Sequence, residues 1–376
     1  MKIFNKYTYL FLGILFVSAV VILNFIPNLE TEEFDQEVID DIIEGVTTTT
    51  VASSNNENLN ENLESLEPFD ELVLTEEQIS DIDKILIYND FQEEIDDFEV
   101  YLLIGSDERS EKIAITRGQI TGKRADVIIL GLINKNTQET TLLSFPRDLL
   151  IKNNCTGNLE RINASYTKNN CGGRAENLAA AIFSISGIRV TNFASFDFEG
   201  FEKIIDSVDG VEICVEKTQK EGFSFELQKG CQTVNGLTTL NWVVSRSTEV
   251  LVGEKILDSD GNDISEWKPM PGVSDLTRID RQQYVVMQLI NELKNFSSIN
   301  ELNSFIKALE NSFIIDENLS INKAVELLWT FRNIDLNNIK KFTTPVDYIT
   351  LSDGRQVLVL NDTIHNFLKS NSIIDS

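Results

Sequence analysis

Four short runs set arginine close to aspartate: Gly105-Ser106-Asp107-Glu108-Arg109, Arg124-Ala125-Asp126, Ser144-Phe145-Pro146-Arg147-Asp148 and Asp275-Leu276-Thr277-Arg278-Ile279-Asp280-Arg281-Gln282. Carboxylate oxygens hold hard divalent cations, and guanidinium forks hold phosphate oxygens in pairs. Such a set suits a metal and the phosphates that it neutralises. Asp107 follows an apolar run and Asp126 opens another, so both stand at strand ends, where ligand sites of α/β sheets gather. The two could share one cation. Each alone reads as readily as a turn cap, and any single arginine as a surface ion pair, such as Arg147 with Asp148. Their convergence favours an anion site. Arg124 and Asp126 share a face in extended chain, Pro146 fixes the turn that aims Arg147, and Arg278 and Gln282 share a helix face with Arg281 beside it.

Other chemistry has little to draw on. The chain has one histidine, His365, so a Ser-His-Asp triad, a Cys-His pair or a His-ligated zinc would all have to recruit it. Gly118–Lys123 imitates a P-loop with one residue too few between its glycines, and Arg124 stands where Ser or Thr should hold magnesium. Asp258–Asp263 has the flavour of a calcium loop, but its glycine is misplaced and no closing Glu is in register, which leaves a hairpin turn.

The elements that must position these residues can be read around them. Val100–Ile104 is a buried strand, and Val127–Ile133 and Thr140–Ser144 are strands joined by a turn at Asn134–Thr137. Glu176–Ile185 has helical spacing with Gly187 as its stop, Phe193–Phe198 alternates as a strand, and Gly200–Val208 reads as helix. Val211–Val215 is a strand, and Leu237–Arg246 and Leu276–Leu293 are helices. Strands interleaved with helices give an α/β fold with a mixed central sheet flanked by helices.

Thr8–Ile26 is an apolar run without a charge, long enough to span a bilayer, with Lys2 and Lys6 before it and Glu30, Glu32, Glu33 and Asp35 after it. The positive-inside rule places the short tail in the cytoplasm and the rest outside. A cleaved signal peptide is the alternative, but Asn24-Phe25-Ile26-Pro27 is no cleavage site. The expected division is a tail over 1–7, a single transmembrane helix over 8–26, an acidic stalk over 27–97, a folded domain over 98–295 and a mostly helical extension over 296–376. The stalk carries a Thr, Ser and Asn-rich stretch from Thr47 to Ser65 and should not bury enough apolar surface to order itself; Leu72–Tyr88 could form a short helix at its end. A net charge of −28 argues against nucleic acid as the partner.

Four cysteines in an outward-facing domain read as two local disulfides, Cys155–Cys171 and Cys214–Cys231, each closing a short loop, although four cysteines allow three pairings. A metal cluster is the alternative, without a Cys-x-x-Cys or a nearby histidine to support it.

These residues together resemble the LytR–CpsA–Psr phosphotransferases of Gram-positive envelopes. The resemblance runs from about Val100 to about Glu292. It rests on Leu103–Arg109, Arg124–Asp126, Ser144–Asp148, Arg161–Tyr166 with Gly172-Gly173, Phe196–Phe201, Val208–Val211, Asn235-Gly236, Ser245-Arg246 and Asp275–Gln282. It implies transfer of a glycopolymer from a polyprenyl-pyrophosphate carrier to peptidoglycan through a phosphodiester. Asp107 and Asp126 would bind Mg²⁺, with either helping to deprotonate the attacking hydroxyl, and Arg124 and Arg147 would act with them. Arg109, Arg124, Arg147, Arg174, Arg246, Arg278, Arg281 and Gln282 would hold the pyrophosphate, and the polyprenyl tail would lie in an apolar tunnel between sheet and helices. Phosphoryl transfer depends mainly on positioning and charge neutralisation, in keeping with such a set.

The chain also departs from the family pattern. Val244 stands where a further arginine is usual, with Arg174 as a candidate substitute, and Asp209-Gly210-Val211 replaces Gly-Gly-Val. The Asp107–Asp126 loop is longer than usual. An insertion over about Ser247–Ser274 could form a flap over the acceptor site. Hydrolysis of the pyrophosphate link, or binding of the lipid without catalysis, are the competing readings.

Overall fold

The computed structural model describes residues 30–44, 94–106, 124–137, 139–166, 173–293, 313–316, 339–352 and 354–374. Its centre is a seven-stranded mixed sheet in the order β1-β14-β7-β2-β3-β4-β15. The strands are β1 (Glu30–Glu32), β2 (Phe98–Ser106), β3 (Ala125–Asn134), β4 (Thr140–Ser144), β7 (Asn192–Phe196), β14 (Phe313–Asp316) and β15 (Lys340–Thr343). β2 and β3 are almost continuously apolar and buried along most of their length, as central strands covered on both faces must be. Asn134 Oδ1 accepts from the backbone N–H of Asn136 and Thr137 at 2.9 Å each, which builds the turn from β3 towards β4.

One helical layer holds α1 (Gln36–Ile43) and α2 (Arg174–Ser186). α2 is buried on almost every side and stops at Gly187, whose φ of 69° lets its N–H turn back to Phe183 O at 2.7 Å. Another set comprises α3 (Phe198–Ser207), α4 (Gly236–Val244) and α5 (Asp275–Leu293). Asp197 caps α3 by accepting from Gly200 N at 2.6 Å, and Asn235 caps α4 by accepting from Thr238 N at 3.0 Å. The two helices meet so closely that a Cβ on Gly236 would lie 2.3 Å from Glu202 O.

The remaining strands are peripheral. β5 (Leu150–Lys152) pairs with β6 (Leu159–Arg161), β8 (Val211–Val215) with β11 (Gly230–Val234), and β16 (Val346–Thr350) with β17 (Gln356–Leu360), before α6 (Ile364–Ser370). β9 (Gln219–Glu221), β10 (Phe225–Leu227), β12 (Glu249–Val252) and β13 (Glu266–Pro269) form a separate small sheet. The Ser247–Ser274 insertion is thus a β12–β13 hairpin, and Asp258 N bonds Asn262 O at 2.9 Å within its turn.

Three expectations need correction. The stalk does not begin at residue 27: residues 30–43 belong to the domain. β1 pairs with β14, and Phe34, Ile39 and Ile42 enter the main core, with Phe34 5.1 Å from the Phe193 ring. Acidic composition concealed an amphipathic helix, whose few apolar residues recur at helical spacing. The folded domain does not end at residue 295, because β14 and β15 complete the central sheet; about half of 296–376, and with it the expected helix content, lies outside the described residues. These strands are short, and a run such as Phe313–Asp316 carries little periodic signal. The helix expected to reach Arg246 ends at Val244, where Ser245 turns to an extended conformation. Leu72–Tyr88 and the transmembrane segment lie outside the described residues, and none of the described helices is long and apolar enough to cross a membrane.

Cys214 and Cys231 are cross-strand neighbours on β8 and β11 and form a disulfide. Cys155 is also disulfide-bonded; its expected partner, Cys171, lies outside the described residues.

Candidate active site

The site grows from one end of the central sheet. β2 and β3 approach so closely at Gly105 that a Cβ there would lie 2.8 Å from Val127 Cβ and 3.3 Å from Phe196 Cζ. The β2–β3 register shifts between Gly105 and Ser106, so Ala125 pairs with Ser106. This irregularity ends regular pairing where Arg124 and Asp126 stand. Asp107 and Arg109, beyond Ser106, lie outside the described residues.

Arg147 reaches the same end from the turn after β4. Phe145 N donates to Ile128 O at 2.9 Å and Leu149 N to Pro146 O at 3.0 Å, which fixes that turn. Arg147 Nη1 then donates to Asp126 Oδ1. Behind this pair, Asp148 is shared: its Oδ2 lies 3.5 Å from Arg147 Nε and its Oδ1 3.4 Å from Arg161 Nε. Arg161, Asp148, Arg147 and Asp126 therefore alternate in charge. The side chains of Arg147 and Asp126 are 15% and 16% exposed, so solvent screens their contact less than it would a surface pair.

An apolar cavity opens beside Asp126. Its envelope, mouth included, is about 630 Å³. Leu103, Val127 and Phe196 supply the sheet side, Phe198, Phe201 and Ile204 come from α3, and Leu240, Val243 and Val244 from α4. Gln282, Val286 and Leu289 of α5 close it, and Ser106, Asp126 and Gln282 are the polar members of the lining. Gln283, beside Gln282, is tied into the sheet: its Nε2 donates to Ser144 Oγ at 2.8 Å and to Phe342 O at 3.0 Å. Val244, at the position where the family pattern suggested an arginine, continues the apolar wall.

The expected cradle is only partly assembled. Asp126 and Gln282 line the cavity, Arg147 binds Asp126, and Arg278, one turn before Gln282, is buried. Arg124 is half-buried at the head of β3, and Arg174 is half-buried as the first residue of α2. Arg246 is exposed in the bend after α4 and lines no part of the cavity.

Arg281 lies apart from the cavity and is fully engaged elsewhere. Its Nη1 donates to Trp242 O at 2.9 Å, its Nη2 to Thr248 Oγ1 at 3.0 Å, and its guanidinium carbon stands 5.2 Å from the Trp242 ring centre. Burial pushes its pKa down to about 10, with Glu221 opposing the shift. Helical adjacency to Arg278 and Gln282 suggested a shared ligand; the α5 turn instead points Arg281 at the α4–β12 corner.

An apolar tunnel between sheet and helices was expected, and the Phe196–Phe201 run supplies part of its wall; its α4 and α5 lining and the Asp148–Arg161 contact were not singled out from sequence.

For a divalent cation, the described residues offer one carboxylate in this cavity, Asp126, beside Ser106. Asp107, the other expected ligand, is next in sequence after Ser106 and lies outside the described residues. Hard oxygen donors of this kind fit Mg²⁺. Elsewhere, among the described residues, only Glu212, Cys214 and Cys231 cluster as a metal site would, and both sulfurs are bonded to each other.

An apolar cavity that meets a carboxylate and a guanidinium at one end matches in chemistry an amphiphile with a charged head. The sequence model of the LytR_cpsA_psr family matches residues 49–253 and 267–372, and the chain belongs to this family. It is similar to the cell wall biosynthesis protein LcpA of Corynebacterium glutamicum, 26% identical over 307 residues covering 71% of this chain and 54% of that protein. It is also similar to the polyisoprenyl-teichoic acid–peptidoglycan teichoic acid transferase TagU of Bacillus subtilis, 26% identical over 213 residues covering 56% of this chain and 58% of that one. The match thus spans a little over half the length of these two curated relatives. The fold agrees with that of the LytR-Csp2A-Psr enzyme from Actinomyces oris, at a TM-score of 0.53 and 20% identity over 72% of this chain and 89% of that one.

Proposed function

We propose that this protein transfers a glycopolymer from a polyprenyl-pyrophosphate carrier to peptidoglycan in cell-wall assembly. Family membership and the name of the TagU relative support the reaction class. The observation that carries the reading is the junction of an apolar cavity with Asp126 and Arg147, which suits a lipid tail joined to a pyrophosphate.

In this reading the chain buries the prenyl tail among the α3, α4 and α5 side chains, and Arg147, Arg278 and Gln282 orient the phosphates. A hydroxyl of the acceptor glycan attacks the phosphorus that carries the glycopolymer. The new O–P bond forms as the bond to the bridging oxygen breaks, and polyprenyl phosphate leaves. Asp126 accepts the hydroxyl proton. Mg²⁺, held by Asp107 and Asp126, would neutralise phosphate charge. The apolar run over 8–26 serves as a single-pass membrane anchor with the domain outside the cytoplasm.

The test is release of polyprenyl phosphate from a polyprenyl-pyrophosphate-linked glycan with purified peptidoglycan as acceptor. The wild-type protein should release it and label the peptidoglycan, and Asp126→Asn should do neither. Release without labelling would mean hydrolysis, and no release would mean a binding protein.

A further inference from the structure

The strand that follows the apolar run enters the sheet at the same end as the cavity. Glu30 is in register with Ile314, Ile314 with Ser195, and Ser195 with Ile104. One residue further along, Phe196 pairs with Gly105 and Gly105 with Val127, and all three line the cavity. β1 runs from this row away from the cavity end, so the chain arrives from the cavity side. Three strand spacings separate Glu30 from Ile104, about 14 Å.

Residues 30–43 are firmly seated. Phe34, Ile39 and Ile42 are buried in the core, and Gln36 Nε2 donates to Val190 O at 3.1 Å. The segment between Glu44 and Glu94 does not set the distance to the anchor. Arg189 binds acids on both sides of it, Asp40 Oδ1 from Nη1 at 2.6 Å and Glu94 Oε1 from Nε at 2.7 Å. The chain therefore leaves and rejoins the domain at one place.

We propose that the cavity end of the domain is held against the lipid bilayer by β1, so that a lipid tail passes from bilayer to cavity without leaving the apolar phase for long. This rests on the reading of residues 8–26 as a membrane anchor. From Ile26 to Glu30 is four residue steps, about 14 Å at full extension. A stalk over residues 27–97 would have left the domain free to turn; a seated β1 does not.

The experiment places the full chain in phosphatidylcholine vesicles carrying an acceptor dye at the lipid surface. A donor dye is attached through Glu199→Cys at the start of α3, or, in a separate protein, through Asn136→Cys in the β3–β4 turn. Energy transfer should be strong from position 199 and weak from 136, which lies about 30 Å further along β3. A flexible linker of about 20 Gly/Ser residues inserted between Asn28 and Leu29 should erase that difference. Equal or reversed transfer in the parent protein, or a difference that survives the linker, would overturn the proposal. Vesicle flotation separates the causes: a protein that floats with reversed labels removes the orientation alone, and one that fails to float removes the anchor reading and the orientation with it.

Discussion

The Arg147 guanidinium, carried by the turn after β4, is clasped to the Asp126 carboxylate at the start of β3. Asp126 lines the polar end of the cavity, and Arg147 is bonded to it there. Arg147→Ala should therefore lower glycopolymer transfer about 10³-fold, the scale of an arginine that stabilises a transferring phosphoryl group. The stability cost should be about 3 kcal/mol, because the Asp126 and Asp148 carboxylates lose a largely buried cationic partner. Arg147→Lys should rescue poorly, because an ammonium lacks the planar fork. Turnover and urea unfolding of the same preparations check both halves. Near-wild-type turnover would remove Arg147 from the transfer reaction and leave its bond to Asp126 a structural one.

Arg281 should behave differently from Arg278. Arg281→Met removes the charged donor to Trp242 O and one of the two side-chain bonds of Thr248 Oγ1, which keeps Ser245 Oγ, and should destabilise the domain by about 2 kcal/mol. At temperatures where the variant is fully folded, donor KM should stay close to wild type. A large rise in KM with unchanged stability would return Arg281 to the phosphate cradle.

Glu176 makes stability depend on pH. Its carboxyl is 4% exposed, and its pKa is raised from 4.5 to about 7, first by burial and then by Glu32 and Asp35 of the seated N-terminal segment. A raised folded-state pKa means that the unfolded chain gives up this proton more readily. The stabilisation is complete below the unfolded value of 4.5 and is lost as pH rises through about 7. The loss should amount to a few kcal/mol. Glu176→Gln should unfold at higher urea than wild type at pH 8 and lose much of the decline between pH 5 and 8. Parallel pH curves for the two proteins would remove Glu176 as the cause.

Filling the cavity should separate tail from head. Val286→Phe places a ring in the α5 wall, away from Asp126 and Arg147. Donors with a long prenyl chain should lose affinity about tenfold or more, while short-chain donors react almost as before. Equal effects on both would mean that the cavity does not hold the chain.

Much of the frame was legible in sequence because the central strands are long, apolar and bounded by turns. Phe98–Ser106 and Ala125–Asn134 stand close to where continuous apolar runs and turn residues put them, and Gly187 stops its helix as expected. The seated segment was missed because Phe34, Ile39 and Ile42 are few among acids, and their burial depends on partners distant in sequence, such as Phe193. The site was legible as residue types but not as directions. Arg278, Arg281 and Gln282 follow closely on one helix, yet Gln282 faces the cavity and Arg281 the α4–β12 corner. Helical spacing gives neighbours; which neighbour faces the ligand is decided by the elements packed around them. Asp209 makes a related point: it adopts a φ of 61° where the family pattern suggests glycine, a conformation that aspartate tolerates better than most residues.

If the cavity and the Asp126–Arg147 pair form one site for a lipid pyrophosphate, both parts of such a ligand must be seen there together. A crystal structure with a short prenyl pyrophosphate tests it most directly. The prenyl chain should lie between α3, α4 and α5, with the pyrophosphate against Arg147 and Gln282. An empty cavity with the pyrophosphate bound elsewhere, or a chain that lies in the cavity with its head turned away from Arg147, would contradict it.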